Sequence, residues 1–219
     1  MSDKKTQLEE IEKNVKICQK CRLCKFARNA VPGEGNINAD IVFVGEAPGE
    51  VEDATGKPFV GRAGKLLESL LSEIGLKRTD VWIGNIIKHR PPENRDPFPD
   101  EIEACQSYLI MQLKIIAPKL IVTLGRFSMN HFYKEGKISR DHGQLYRTSE
   151  YNVFPVYHPA AALRNPDMAM ALKKDFVKIP EVLGKIKDGS LLRKSGVFTN
   201  AGNTNNNNLQ PKGQLGLGF

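Results

Sequence analysis

No apolar run in this chain of 219 residues approaches the ~20 residues needed to span a bilayer, so no membrane partner is expected. The opening residues, Met1-Ser2-Asp3-Lys4-Lys5, lack the apolar stretch of a secretory signal and lead into charge instead. A soluble, cytoplasmic protein is the expectation. Cysteine is scarce, with four residues in all. Acidic residues fall short of basic ones, 25 against 32, leaving a net charge of +7 and a pI near 9.2. That balance favours a polyanionic partner such as nucleic acid. What the chain does have is a 40% apolar share, enough for one substantial core and a tail.

The few cysteines are not spread evenly. Cys18, Cys21 and Cys24 stand in a C-x-x-C-x-x-C run, and Cys105 is distant. In a reducing compartment such a cluster reads as a metal or iron–sulfur site before it reads as disulfides. The spacing matches the start of the bacterial ferredoxin run without its fourth ligand nearby, and zinc remains open.

Short apolar runs alternate with amphipathic stretches. Residues 40–45, 81–85, 119–125 and 152–157 read as strands, the last with Pro155 at an edge or irregular position. Helices are expected over 6–17, 65–74, 100–116, 126–132 and 169–182. Strands alternating with helices mean an α/β protein with a parallel sheet covered on both faces. The expected domain covers 1–185. An Asn-rich linker over 186–213, with nothing to bury, is expected to be disordered, and an apolar hexapeptide follows at 214–219.

Four Gly/Pro-rich segments follow the strands, where open α/β sheets bind ligands. Glu46, directly after the first strand, suits a carboxylate that orients water or screens a cationic sugar; a helix cap is the alternative. His158, between the last strand and Pro159, suits a donor aimed at developing charge. Asn85 ends the second strand, and its amide can pair with the polar edge of a pyrimidine. Phe59 in a Gly-rich loop suits base stacking, or core filling. The nearby carboxylates Glu50, Glu52 and Asp53 read as solvated, with Glu52 the one of them best placed to line a pocket. Arg62, Lys65, Arg90, Arg95 and Arg164 in these loops suit phosphate contacts.

The segments Gly45-Glu46-Ala47-Pro48-Gly49-Glu50, Gly56 to Gly64, Asn85-Ile86-Ile87-Lys88, Arg90 to Arg95 and His158 to Leu163 together resemble family-4 uracil-DNA glycosylases. These form the iron–sulfur branch of that superfamily, and the likeness runs unbroken over about residues 14–183. It implies a three-layer uracil-DNA glycosylase fold, a four-stranded parallel sheet between helices. It also implies a monofunctional base-excision repair enzyme that flips uracil from single- or double-stranded DNA and leaves an abasic site. By the same resemblance Glu46 and His158 are catalytic, Phe59 stacks on the base and Asn85 reads it. Ala47 contacts the base through its backbone, Glu52 crowds a thymine methyl, and Asn94 belongs to the active site. Leu163 and Arg164 probe the duplex. The competing expectation is a protein that holds uracil DNA, covalently or not, without turnover.

One position departs from the pattern. Most relatives have cysteine where this chain has His89, completing a [4Fe-4S] cluster with the equivalents of Cys18, Cys21 and Cys105. Histidine can ligate iron, so the resemblance implies His89 as fourth ligand, with Cys24 the alternative. A related branch that captures uracil DNA covalently is similar in carrying histidine here. That branch also has a basic, histidine-containing insert and a glutamine at the position of Ala47. This chain has neither, which favours ordinary turnover. The final hexapeptide resembles the Q-L-x-L-x-F motif that docks bacterial repair proteins on the sliding clamp, through Gln214, Leu215, Leu217 and Phe219. That likeness implies an enzyme of bacterial origin, concentrated on DNA through its tail; a nucleoid-associated monomer is the accompanying expectation.

Overall fold

A computed structural model describes residues 3–190. In chain order the elements are α1 (Lys4–Lys16), β1 (Glu34–Gly35), β2 (Ile41–Gly45), α2 (Glu50–Thr55), α3 (Arg62–Glu73), β3 (Trp82–Asn85) and α4 (Pro99–Ile116). There follow β4 (Leu120–Leu124), α5 (Arg126–Phe132), α6 (Ile138–Asp141), β5 (Tyr146–Arg147), β6 (Asn152–Val156), α7 (Pro159–Ala162) and α8 (Pro166–Lys187).

The sheet has the order β1-β3-β2-β4-β6-β5. Its four inner strands are parallel, as the sequence leads one to expect. The sheet is nevertheless mixed, because the two-residue strands β1 and β5 add antiparallel edges. Pro155 is accommodated for a local reason. β5 reaches only Asn152 and Val153, and beyond it Gly143 N–H donates to Pro155 O at 2.8 Å. The proline's missing N–H therefore points away from the β4 ladder, where it leaves no hydrogen bond unmade.

Every residue of β2 is buried, because alternate side chains enter opposite cores. Ile41 and Phe43 join Leu67, Leu71, Phe154 and Phe176 on the face covered by α3 and α8. Val42 and Val44 join Trp82, Leu109 and Leu113 on the face covered by α4. α1 lies outside α4 and shares with it a small core of Ile11, Val15, Cys18 and Tyr108. Asp3 starts α1 by accepting from Thr6 N at 2.8 Å, an N-cap that fixes the helix entry.

α8 begins at Pro166, capped by Asn165, and outruns the expected 169–182 at both ends. It passes residue 185, the expected domain boundary, and ends at Lys187. The rest of the Asn-rich stretch and the hexapeptide of Gln214, Leu215, Leu217 and Phe219 lie outside the described residues.

The connections leave β2 first towards β3 and then, through α4, back across to β4. The strand order thus reverses beside β2. In a parallel sheet a crevice opens at the carboxyl ends flanking such a reversal.

Candidate active site

At that crevice lies a cavity of about 510 Å³, within the usual range for a small-ligand site. Its walls come from the ends of all four parallel strands. Glu46, Ala47 and Gly49 follow β2, Asn85 closes β3, Gly125 and Arg126 follow β4, and Tyr157 and His158 follow β6. Glu52, Phe59, Asn94, Arg95 and Arg164 also line it. Of the residues expected to touch DNA, Arg62 and Lys65 instead stand exposed on the first turn of α3, and Leu163 is exposed at the end of α7.

Phe59 is held under strain. Its φ is 52°, a left-handed value that costs a non-glycine residue on the order of 1–3 kcal/mol. Two sets of bonds and one close approach maintain it. Glu52 Oε1 accepts from Val60 N at 2.9 Å and Gly61 N at 2.8 Å. Arg78 donates to Phe59 O at 3.0 Å and to Pro58 O, while pairing with Glu34 at 2.9 Å. Gly64 lets the Phe59 carbonyl approach so closely that a methyl there would overlap it. The Glu52 carboxylate, expected to crowd a substrate, is thus committed first to bracing the turn that carries the ring.

Asn85 is 1% exposed, yet neither its Nδ2 nor its Oδ1 has a partner. Orphaned buried amides are rare because each unmade bond costs roughly 1–3 kcal/mol. This one shares the cavity with the Phe59 ring. Gly45 makes their approach possible, since a methyl there would overlap Asn85 Oδ1 and sit 2.5 Å from Phe59 Cζ. A flat, polar heterocycle lying on Phe59 would meet one donor and one acceptor from Asn85.

Across the cavity the His158 ring lies 5.9 Å from that of Phe59, centroid to centroid. Its Nδ1 accepts from Ala160 N at 3.0 Å, capping α7. Burial pushes its pKa down to about 4, helped by the charge of Arg164 and opposed by Glu52. The neutral ring therefore carries its proton on Nε2, as a donor.

Glu46 is moved the other way. Burial, reinforced by the negative Asp96 and opposed by Arg126, pushes its pKa up to about 7. Asp96 and Arg126 form an ion pair at the cavity edge. A carboxyl raised and an imidazole lowered, facing one cavity, is the pattern of divided acid–base roles.

Two lining residues are already engaged. The Arg95 guanidinium grips Glu101 with two bonds, 2.8 and 2.7 Å, and lies 3.9 Å over the Phe98 ring. It braces the loop rather than offering a free charge to phosphate. Asn94 Oδ1 accepts from Arg90 Nε at 2.8 Å. Sequence reasoning overlooked Asp96, Arg126 and Tyr157. For Arg126 and Tyr157 the signal was present, because each flanks a strand end as the chosen residues do.

A larger, more open cavity of about 1230 Å³ is lined by Cys18, Cys21, Cys24 and His89. Burial pushes the Cys105 thiol up to about 11, opposed by Lys88, with Cys21 and Cys18 near enough to add a smaller push the same way. All four thiols are free. Among the described residues, no group of three His, Cys, Asp or Glu side chains is already gathered around one metal position. Soft thiolates with a neighbouring imidazole are the donor set that suits iron–sulfur or zinc binding.

Comparison with known proteins bears on this geometry. Residues 32–183 match the uracil DNA glycosylase superfamily. A type-4 uracil-DNA glycosylase of Saccharolobus solfataricus is 50% identical over 210 residues, covering 90% of this chain and 97% of the relative. One from Archaeoglobus fulgidus is 47% identical, covering 81% of this chain and 94% of its own length. One from Thermotoga maritima is 46% identical over 72% of this chain and 84% of the relative.

Proposed function

From its membership of the type-4 branch of the uracil-DNA glycosylase superfamily, to which this chain belongs, we propose how its own residues excise uracil. The chain is a uracil-DNA glycosylase acting in base-excision repair, with uracil-containing DNA as its partner. The observation that carries the mechanism is the Asn85 amide, buried and unpartnered beside Phe59.

The flipped uracil stacks on Phe59, with the Ala47 backbone along its edge. Asn85 Oδ1 accepts from the base N3–H while Nδ2 donates to O4. Water attacks the sugar C1′ as the C1′–N1 bond breaks, and the bonding pair leaves on the base. The charge spreads to O2, where His158 Nε2–H donates a hydrogen bond that strengthens as the charge grows. Glu46, as carboxylate, orients the water, accepts its proton and screens the cationic sugar. Glu52, tied to the same turn as Phe59, forms the wall that a thymine methyl meets. Arg164 at the cavity edge and the exposed Arg62, Lys65 and Leu163 face the DNA strand.

Cys18, Cys21, Cys105 and His89 would hold a [4Fe-4S] cluster, with Cys24 as the alternative to His89. His89 is favoured by its burial and by its place beside Lys88, whose N–H donates to Cys105 Sγ at 3.3 Å. Bound there, the cluster supplies a structural tie between the N-terminal segment and α4. The C-terminal Gln214, Leu215, Leu217 and Phe219 dock the enzyme on a sliding clamp, a reading that rests on their pattern. The enzyme acts as a cytoplasmic monomer. Glu46→Gln and His158→Ala should each lose most turnover on a uracil oligonucleotide while binding it as before. Full activity in both variants would remove these roles.

A further inference from the structure

One buried charge takes no part in that mechanism. Lys88 is fully buried, although a lysine inside a protein is rare because its charge is costly to desolvate. Its Nζ donates to Asn85 O at 2.9 Å and to Gln112 Oε1 at 2.9 Å, both neutral oxygens. Gln112 in turn donates to Pro32 O at 2.9 Å. The Lys88 main chain is equally engaged: its N–H donates to Cys105 Sγ at 3.3 Å, and its carbonyl accepts from Val31 N at 2.7 Å.

Lys88 is thus where three parts of the molecule meet: the floor of the uracil cavity, the cysteine cavity, and the segment running into β1. The Asn85 amide has no side-chain bond of its own to aim it. Its direction is set by its main chain, and the side-chain bond made to that main chain comes from Lys88. A surface lysine would be hydrated and mobile; a buried one with two directed bonds is a rigid strut.

We propose that Lys88 is a positioning residue for base recognition, fixing the Asn85 main chain so that its amide meets uracil and linking that aim to the cysteine cavity. The proposal rests on Asn85 reading the base.

The test uses the full-length chain, with free uracil as probe. Uracil affinity is measured by competitive inhibition of excision and by the fluorescence of Trp82, the sole tryptophan, whose ring lies 5.9 Å from Lys88 Nζ. Lys88→Met should raise the uracil inhibition constant roughly tenfold, as loss of a hydrogen bond from a charged donor does. Affinity for abasic DNA and iron content should stay as in the wild type. An inhibition constant unchanged in Lys88→Met but raised in Asn85→Ala overturns the proposal alone. One unchanged in Asn85→Ala overturns the reading of Asn85 and the proposal with it. Should Lys88→Met fail to fold, Gln112→Met frees the strut at its other end and should weaken uracil by about threefold; unchanged affinity there also overturns it. A merely structural lysine would lower the melting temperature and leave the uracil constant alone.

Discussion

Replacing Glu46 by glutamine should make the protein more stable while disabling it, and pH should govern the gain. The carboxyl is displaced from 4.5 to about 7, chiefly by burial. At about 1.4 kcal/mol per unit this is roughly 3 kcal/mol of strain in the ionised folded state. Glu46 is only half-buried, and water screens it there, so ~1–2 kcal/mol is the expected figure. The sign follows from proton counting. Between the unfolded and folded pKa values the folded state holds the proton and the unfolded state does not, so stability falls as pH rises. The penalty is complete above about pH 7, falls to about a quarter at pH 5, and vanishes below both pKa values. Urea unfolding at pH 8.5 should therefore favour Glu46→Gln by ~1–2 kcal/mol, equivalent to about 2–8 °C in melting temperature for a chain of this size. At pH 5 most of that advantage should be gone. An equal gain at both pH values, or none at pH 8.5, would refute the idea that the Glu46 carboxyl is held at a cost in stability.

The same displacement shapes the rate. kcat/KM on uracil DNA should rise about tenfold per unit up to pH ~7 and then level off, with His158, pushed down to about 4, contributing no limb in that range. Asp96→Asn should move the midpoint to lower pH and Arg126→Gln to higher pH, since these charges respectively raise and lower the Glu46 value; a midpoint fixed in both would exclude the coupling. Gly45→Ala should cut excision on the order of 100-fold and destabilise by ~1–3 kcal/mol, because its methyl would overlap Asn85 Oδ1 and crowd Phe59. Iron and sulfide analysis of the purified protein should give a cluster that is lost in Cys105→Ser. Stoichiometric zinc without iron would contradict the ligand assignment, and comparing His89→Ala with Cys24→Ala identifies the fourth ligand by which one releases iron.

The inner sheet could be read from sequence because a strand buried on both faces leaves an unbroken apolar run, such as Ile41 to Val44, ended by glycine. The edge strands could not: Glu34–Gly35 and Tyr146–Arg147 are two residues each, too short for any pattern, and exist only through their partners. α2 was missed because its six residues, Glu50–Thr55, carry no apolar period, and the N-terminal extension of α8 because it begins on Pro166. Strand-end residues such as Glu46, Asn85 and His158 stood out because the topology of parallel sheets sends them to one crevice. Lys88 and Gln112 could not stand out, because in sequence a lysine reads as surface and only the packing of α4 over β3 buries it. Glu52 and Arg95 were noticed for the right loops, but their hydrogen bonds, which no sequence pattern encodes, tie them to the protein first.

The most direct test compares single-turnover excision by the wild type and Asn85→Ala on one uracil oligonucleotide, followed by alkali, with a thymine oligonucleotide as control. We expect alkali-labile product from uracil alone, formed at least ~100-fold more slowly by Asn85→Ala, a loss of two directed hydrogen bonds to the base. Equal rates from the two proteins would mean that the buried amide does not read the base.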